Sequence, residues 1–324
     1  MAAPPTTVES EHDTLLRGCG LLDRSERGKL ALSGADAREF LNGQITNELA
    51  DLQPGEGRYA AFLTHKGKML GDLRVLLPAV PGGAEQELLL DTERVVLQQL
   101  FDMIRRYKVG YRVELHKRTL ERGLLSLIGP RAQALAGAGA LGEQEHANAA
   151  VQIGGIDALA VRTDVGVDVI CDAADTEALA GALVQAGARR VGEAAAETLR
   201  IERGRPRYGI DLDDSVIPQE AALNERAVSF TKGCYVGQET VARLFYRGKP
   251  NRHLRGLRLS GAAPSGEELS FEGRAVGRLG SFAASPALGP IGLALVRREA
   301  EPGATVAVGS GGVSGEVVEL PFTG

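Results

Sequence analysis

The segment Lys232-Gly233-Cys234-Tyr235-Val236-Gly237-Gln238-Glu239 sets one cysteine between two glycines, two residues after a lysine and just ahead of a polar Gln-Glu pair. A nearby cation favours thiolate over thiol. Residues 238–244 read as a short helix, so Cys234 is expected close before a helix N-terminus, whose dipole also favours an anion. Glycine at 233 and 237 lets a backbone turn tightly or approach a ligand closely. A cysteine that only filled a core would need none of these neighbours. The chemistry expected here is that of a functional thiolate, with Lys232 tuning its charge.

Carboxylates offer a second kind of chemistry. Glu202 falls one turn beyond Thr198 and Leu199, on a helix expected to stop at Gly204-Arg205-Pro206. A carboxylate there can pair with Arg203 or Arg205, or accept two N–H bonds from a planar amidine-like edge. Other signatures carry no chemistry. Gly309-Ser310-Gly311-Gly312 lies among strand-like runs, where it reads as a turn rather than a dinucleotide loop. Lys66-Gly67-Lys68 lacks the upstream glycine of a phosphate loop, and Met69 stands where a hydroxyl would reach magnesium. His12, His65, His116, His146 and His253 are not spaced to share a metal and read as surface or turn residues. The three cysteines, Cys19, Cys171 and Cys234, form neither a C-x-x-C pair nor a disulfide framework.

The elements that must position these groups are mixed. A chain of 324 residues, 44% hydrophobic and 24% charged, has room for two or three cores. A net charge of −5 argues against broad attraction to nucleic acid or an anionic membrane. The start lacks a secretory signal and no apolar run is long enough to span a bilayer, so a cytoplasmic, reduced location is expected. Residues 1–14 read as a loose lead-in. Lys29–Leu32 reads as a strand, and Ser33 with Asp36 as a capping-box start for a helix whose inner face is Ala37, Leu41, Ile45 and Leu49. Strands follow at 59–63, 73–77 and 88–90. Asp91 is the expected cap of a helix carrying Val96, Leu100, Ile104 and Tyr107. Further strands are expected at 111–115 and 124–128, a hairpin across 158–171, and helices near 176–186 and 193–203. The Ala/Gly-rich 133–150 reads as a surface linker. From about residue 250, strand-like runs at 254–259, 275–282, 291–296, 305–308 and 313–320 suggest a small antiparallel barrel or sandwich.

Four ordered blocks bear a resemblance to a known family. Lys-Gly-Cys-Tyr-x-Gly-Gln-Glu at 232–239 resembles the signature of YgfZ-type folate-binding proteins, relatives of the glycine cleavage T-protein (aminomethyltransferase). Leu32–Glu48, Leu199–Pro206 and Ile217–Glu220 are similar to three further blocks of that family. The resemblance implies an α+β fold of two interleaved lobes around a central folate site over residues 1–248, closed by a C-terminal antiparallel β-barrel over 249–324. It implies tetrahydrofolate, or a derivative, as the cofactor. Glu202 would hold the pterin through its 2-amino group and ring nitrogen, with Asp72, Asn47 and Arg243 as further folate-binding candidates. It implies support of iron–sulfur cluster assembly or repair through Cys234 and Lys232, with cluster-assembly or client proteins as partners. One cysteine cannot supply the four thiolates of a typical cluster, so a bound cluster would need ligands from elsewhere. T-proteins carry an acid pair where this chain has Gly71-Asp72. Losing the first acid argues against aminomethyl transfer, which stays as the enzymatic alternative.

Overall fold

The computed structural model describes residues 7–79 and 87–323. Two units interleave along the chain. The first takes Met1–Leu63, Leu70–Glu193 and Arg226–Val236, and the second takes Thr64–Met69, Ala194–Glu225 and Gly237–Gly324.

In the first unit, β1 (Gly20–Asp23), β2 (Gly28–Ser33), β3 (Glu56–Leu63), β4 (Met69–Leu77, Met69 itself belonging to the second unit), β5 (Leu88–Thr92) and β6 (Glu114–Lys117) are followed by β7 (Arg122–Ile128), β8 (Asn148–Ile153), β9 (Ile156–Arg162), β10 (Gly166–Asp172) and the short β11 (Arg189–Arg190). They form a five-stranded sheet ordered β3-β4-β5-β2-β6 and a six-stranded sheet ordered β11-β1-β7-β10-β9-β8. All six residues of β2 are buried, so it reads as a continuous apolar run without period-two alternation. Leu76 of the first sheet packs with Leu124, Val161 and Ile170 of the second. Beside this apolar contact lies a buried ion network. Arg74 reaches Asp91 and Asp168, each at 2.6 Å, and Ser126 Oγ donates to Asp168 at 2.6 Å. Arg27 donates to Asp91 at 2.9 Å and also pairs with Glu93. Burial alone would raise the Asp91 carboxyl, but the Arg27 and Arg74 guanidiniums hold it far below the usual carboxylate range.

Helices of this unit include α1 (Val8–Arg17), α2 (Ala37–Asn42), α3 (Leu97–Tyr107), α4 (Ala132–Leu135) and α5 (Thr176–Gln185). Several differ from the sequence expectation for identifiable reasons. Residues 8–17 are helical because Thr7 and Ser10 form a capping box; residues 1–6 of the expected lead-in lie outside the described residues. The expected capping box of α2 does not form: Ser33 ends β2 with its hydroxyl 3.0 Å from His116 Nε2, and the Asp36 carboxylate accepts from the Arg112 backbone and guanidinium. The helix stops at Asn42, so Ile45 and Leu49 are buried from a loop. Asp91 does not cap α3, since the ion network holds it, and a 3-10 turn at Arg94–Val96 starts that helix. The 133–150 stretch is no surface linker, since Ala136, Ala138, Leu141 and Ala147 lie in the core with Val167 and Leu179. Small side chains there allow close approach of backbone to sheet.

The second unit contains α6 (Glu193–Glu202), α7 (Asn224–Ala227), α8 (Gln238–Arg247) and a closed barrel, Glu193 and α7's last two residues belonging to the first unit. The barrel strands are β12 (Arg252–Leu259), β13 (Glu268–Phe271), β14 (Arg274–Ser285), β15 (Gly289–Arg297), β16 (Thr305–Val308) and β17 (Val313–Val318). Their order, β12-β15-β14-β13-β16-β17, closes by antiparallel pairing of β17 with β12, Gly256 opposite Val318. Closure removes the edges that an open sheet would expose. Leu257, Leu269, Leu279, Val296, Val306 and Val317 fill the interior. β13 is not apparent in the sequence because it is four residues long and follows a Pro/Ser/Gly turn. Among the described residues no helix is long and apolar enough to cross a membrane.

Candidate functional site

Cys234 sits exposed on a strap in the first unit, whereas Cys19 and Cys171 are buried. The residues around it are anchored. Lys232 is 7% exposed and its ammonium donates to the backbone oxygens of Asn42, Ile45 and Asn47 at 2.7, 2.9 and 2.6 Å, and to Asn42 Oδ1 at 3.1 Å. Its Nζ also lies 5.2 Å from the Tyr235 ring centroid. Burial lowers the Lys232 ammonium to about 8, with Glu48 pulling the other way. Burial pushes the Tyr235 hydroxyl up to about 12. Backbone bonds from Ser229 N to Thr46 O and from Val236 N to Gly43 O tie the strap to the loop after α2. Gly237 requires its glycine, with φ +83° at the N-cap of α8. A Cβ at Gly233 would meet nothing within 4 Å, so the fold does not demand glycine there.

The exposed thiol has a direct consequence. Burial pushes Cys19 to about 11, against a smaller pull from Arg131, and raises Cys171 as well. Iodoacetamide at pH 7.5 is expected to modify Cys234 at least about tenfold faster than either, because only an accessible thiolate reacts. Peptide mapping by mass spectrometry checks this order, and earlier labelling of Cys19 or Cys171 would contradict it.

Asp72 is a further buried acid of the first unit, apart from Asp91 and Asp168 of the ion network. It lies on β4, 7% exposed, and accepts the hydroxyl of Tyr59 on β3 at 2.6 Å. Burial raises its carboxyl to about 6, despite the opposing hydrogen bond from Tyr59. Tyr59 is itself raised well above 10, by burial and then by the Asp72 charge. The Arg226 guanidinium lies 5.1 Å from the Tyr59 ring centroid and the His146 ring lies 6.3 Å away. Arg226 in turn pairs with Glu145. Burial drives His146 down to about 3, so its imidazole is neutral. Asn47 borders this group but its amide is engaged internally, Nδ2 donating to Tyr59 O and Arg226 O and Oδ1 accepting from Glu48 N. That makes Asn47 a residue that positions others. Tyr59, Arg226 and His146 are not evident as site residues in the sequence; the signal for Tyr59 is a polar residue in β3, the strand that neighbours Asp72 on β4.

Gly71 points the opposite way along the strand. A Cβ there would lie 2.2 Å from Val96 Cγ1 and 2.8 Å from the Phe62 ring. An acid at 71 would enter hydrocarbon, where an unpaired charge is strongly disfavoured. The missing acid therefore carries little weight against proton transfer, because Asp72 is the one on the polar side.

In the second unit, Glu202 ends α6 at a turn through Gly204, φ +66°. Its Oε1 accepts from Ser285 Oγ at 2.6 Å, and its carbonyl accepts from Phe322 N. Arg200 secures the same helix by donating to Glu197 and to the buried Asp211 at 2.9 Å. Asp211 also accepts from Ser281 N and Arg207 N. Arg243 lies exposed on α8. The structure thus places Cys234, Lys232, Asn47 and Asp72 in one unit, and Glu202 and Arg243 in the other.

Comparison with known proteins divides the chain along its length rather than into these interleaved units. Residues 4–232 match the GCVT N-terminal domain, and residues 252–323 match the glycine cleavage T-protein C-terminal barrel domain. The chain is 30% identical to an aminomethyltransferase of Rubrobacter xylanophilus, over 97% of this chain and 86% of that one. It is 28% identical to a putative chloroplastic transferase of Arabidopsis thaliana, over 96% of this chain and 72% of that one. Among solved structures, the glycine cleavage system aminomethyltransferase T of Bartonella henselae superposes with a TM-score of 0.86 at 26% identity, covering 98% and 90% of the two chains. With both its mixed α/β body and its closed barrel matched over nearly the whole length, this chain belongs to the glycine cleavage T-protein (GCVT) family.

Proposed function

We propose that this protein binds tetrahydrofolate and supports assembly or repair of iron–sulfur clusters, with Cys234 as its functional thiol. The observation that carries the reading is the exposure of Cys234, alone among the three cysteines, between the anchored residues Lys232 and Tyr235. The chemistry present fits the cofactor. Glu202, oriented by Ser285, offers the carboxylate that a pterin's amino and ring N–H donors require. Asp72, buried and raised to about 6, can hold or release a proton near neutrality. When bound, tetrahydrofolate supplies the nitrogens that carry one-carbon units. The Asp72–Tyr59 pair also favours a second reading, folate-dependent aminomethyl transfer of the T-protein type.

Two measurements separate these readings. Tetrahydrofolate is expected to raise the melting temperature, and Glu202→Ala to weaken that shift at least about tenfold in ligand concentration, since it leaves the pterin donors unpaired. Equal shifts in both proteins would remove Glu202 from the site. Cys234→Ser is expected to lower iron–sulfur enzyme activity in the host while leaving the tetrahydrofolate shift unchanged. Methylenetetrahydrofolate formed from an aminomethylated lipoyl carrier, undiminished in Cys234→Ser, would establish the transferase instead.

A further inference from the structure

Four oxygens converge on one nitrogen in the first unit. The carbonyls of Asn42, Ile45 and Asn47 and the side-chain oxygen of Asn42 all lie 2.6–3.1 Å from Lys232 Nζ. An ammonium has three protons, so this shell exceeds what simple hydrogen bonding needs. It resembles the carbonyl cages that replace the hydration shell of a monovalent cation. Glu48 supplies a nearby negative charge. The cage is formed by the last residue of α2 and the loop that runs from it to β3. The same loop takes the strap's other bonds, with Thr46 Oγ1 donating to Ala227 O and Asn47 Nδ2 to Arg226 O.

We propose that Lys232 is a tethered monovalent cation: its ammonium fills a ready-made carbonyl cage and so locks the strap that displays Cys234. Its donors are directed at the cage, which makes it a positioning residue for the thiol. Removing the ammonium leaves an oxygen-lined hole suited to K⁺ or NH₄⁺, ions close to it in size and charge. Li⁺ is too small to touch all four oxygens and choline is too large to enter. The link to thiol chemistry rests on the proposed role of Cys234, but the cage itself does not.

The test compares Lys232→Ala with wild type at matched ionic strength in KCl, NH₄Cl, LiCl and choline chloride, which removes general screening from the comparison. In choline the variant is expected to melt lower than wild type, and the backbone amides of its Cys234 strap to exchange several-fold faster. KCl or NH₄Cl should reverse most of both changes, LiCl neither, and wild type should show no preference among the salts. Lys232→Gln, whose amide partly fills the hole, serves if the alanine variant does not fold in any salt, and should show a smaller restoration of the same order. Variants that gain no more from K⁺ than from choline overturn the cage. Restoration by K⁺ without any effect of Cys234→Ser on host enzymes keeps the cage and rejects the cluster reading alone.

Discussion

Asp72→Asn is expected to stabilise the protein at pH 8 by about 3 kcal/mol, while abolishing any reaction in which that carboxyl handles a proton. The carboxyl rises from 3.8 to about 6 on folding because β3 and β4 bury it. Between those values the folded chain holds a proton that the unfolded chain has released. Stability therefore falls as pH rises through about 4 to 6 and stays reduced above it. A rise of that size corresponds to about 3 kcal/mol. Asparagine is neutral throughout and still offers an oxygen to the Tyr59 hydroxyl. Urea unfolding at pH 4 and pH 8 checks both halves. The variant and wild type should agree at pH 4 and diverge at pH 8; a gap that does not depend on pH would refute the burial account.

Arg74→Met is expected to have the largest effect in the other direction, a loss of about 4 kcal/mol. Its guanidinium bridges Asp91 and Asp168, and both carboxylates are buried. Methionine fills the stem volume but leaves two acids with less than their charge balance. Asp91 keeps the Arg27 guanidinium, whereas Asp168 is left with the neutral Ser126 hydroxyl at 2.6 Å. Adding Asp168→Asn should recover about 1–2 kcal/mol, because the remaining uncompensated charge is then gone. Urea unfolding of the single and double variants measures this. A single variant within about 1 kcal/mol of wild type would show that the network contributes little beyond its packing.

These two residues illustrate why some roles are legible in the chain and others are not. Cys234 stands out as a candidate through its local context, and Asp72 and Glu202 through ordered blocks that resemble a family; both kinds of signal survive in a linear string. Tyr59, Arg226 and His146 lie far apart in sequence and meet only when β3, the strap and the turn before β8 are assembled. Asn47 and Lys232 are visible as polar residues in ordered blocks. Nothing in the chain says that Asn47 would bind its own backbone neighbours, or that Lys232 would turn toward three carbonyls of a distant loop.

The elements follow the same rule. Alternating and continuous apolar runs with Gly, Pro and Ser between them determined five of the six barrel strands, all but β13, with 305–308 found where the spacing put it. Periodicity and glycine stops determined α5 and α6, whose ends at Gln185 and Glu202 lie within a residue or two of Gly187 and Gly204. Tertiary structure decided where local signals competed. The Ser33–Asp36 box and the Asp91 cap are good signals in isolation, but Arg112 in one case and Arg27 with Arg74 in the other offer each aspartate a charge that a helix N-terminus cannot match. The alanines of 133–150 look like linker until a sheet covers them. The direction of Gly71 was decided by the pleat of β4: successive residues face opposite sides, so a one-residue difference separates a hydrocarbon core from the acid beside Tyr59.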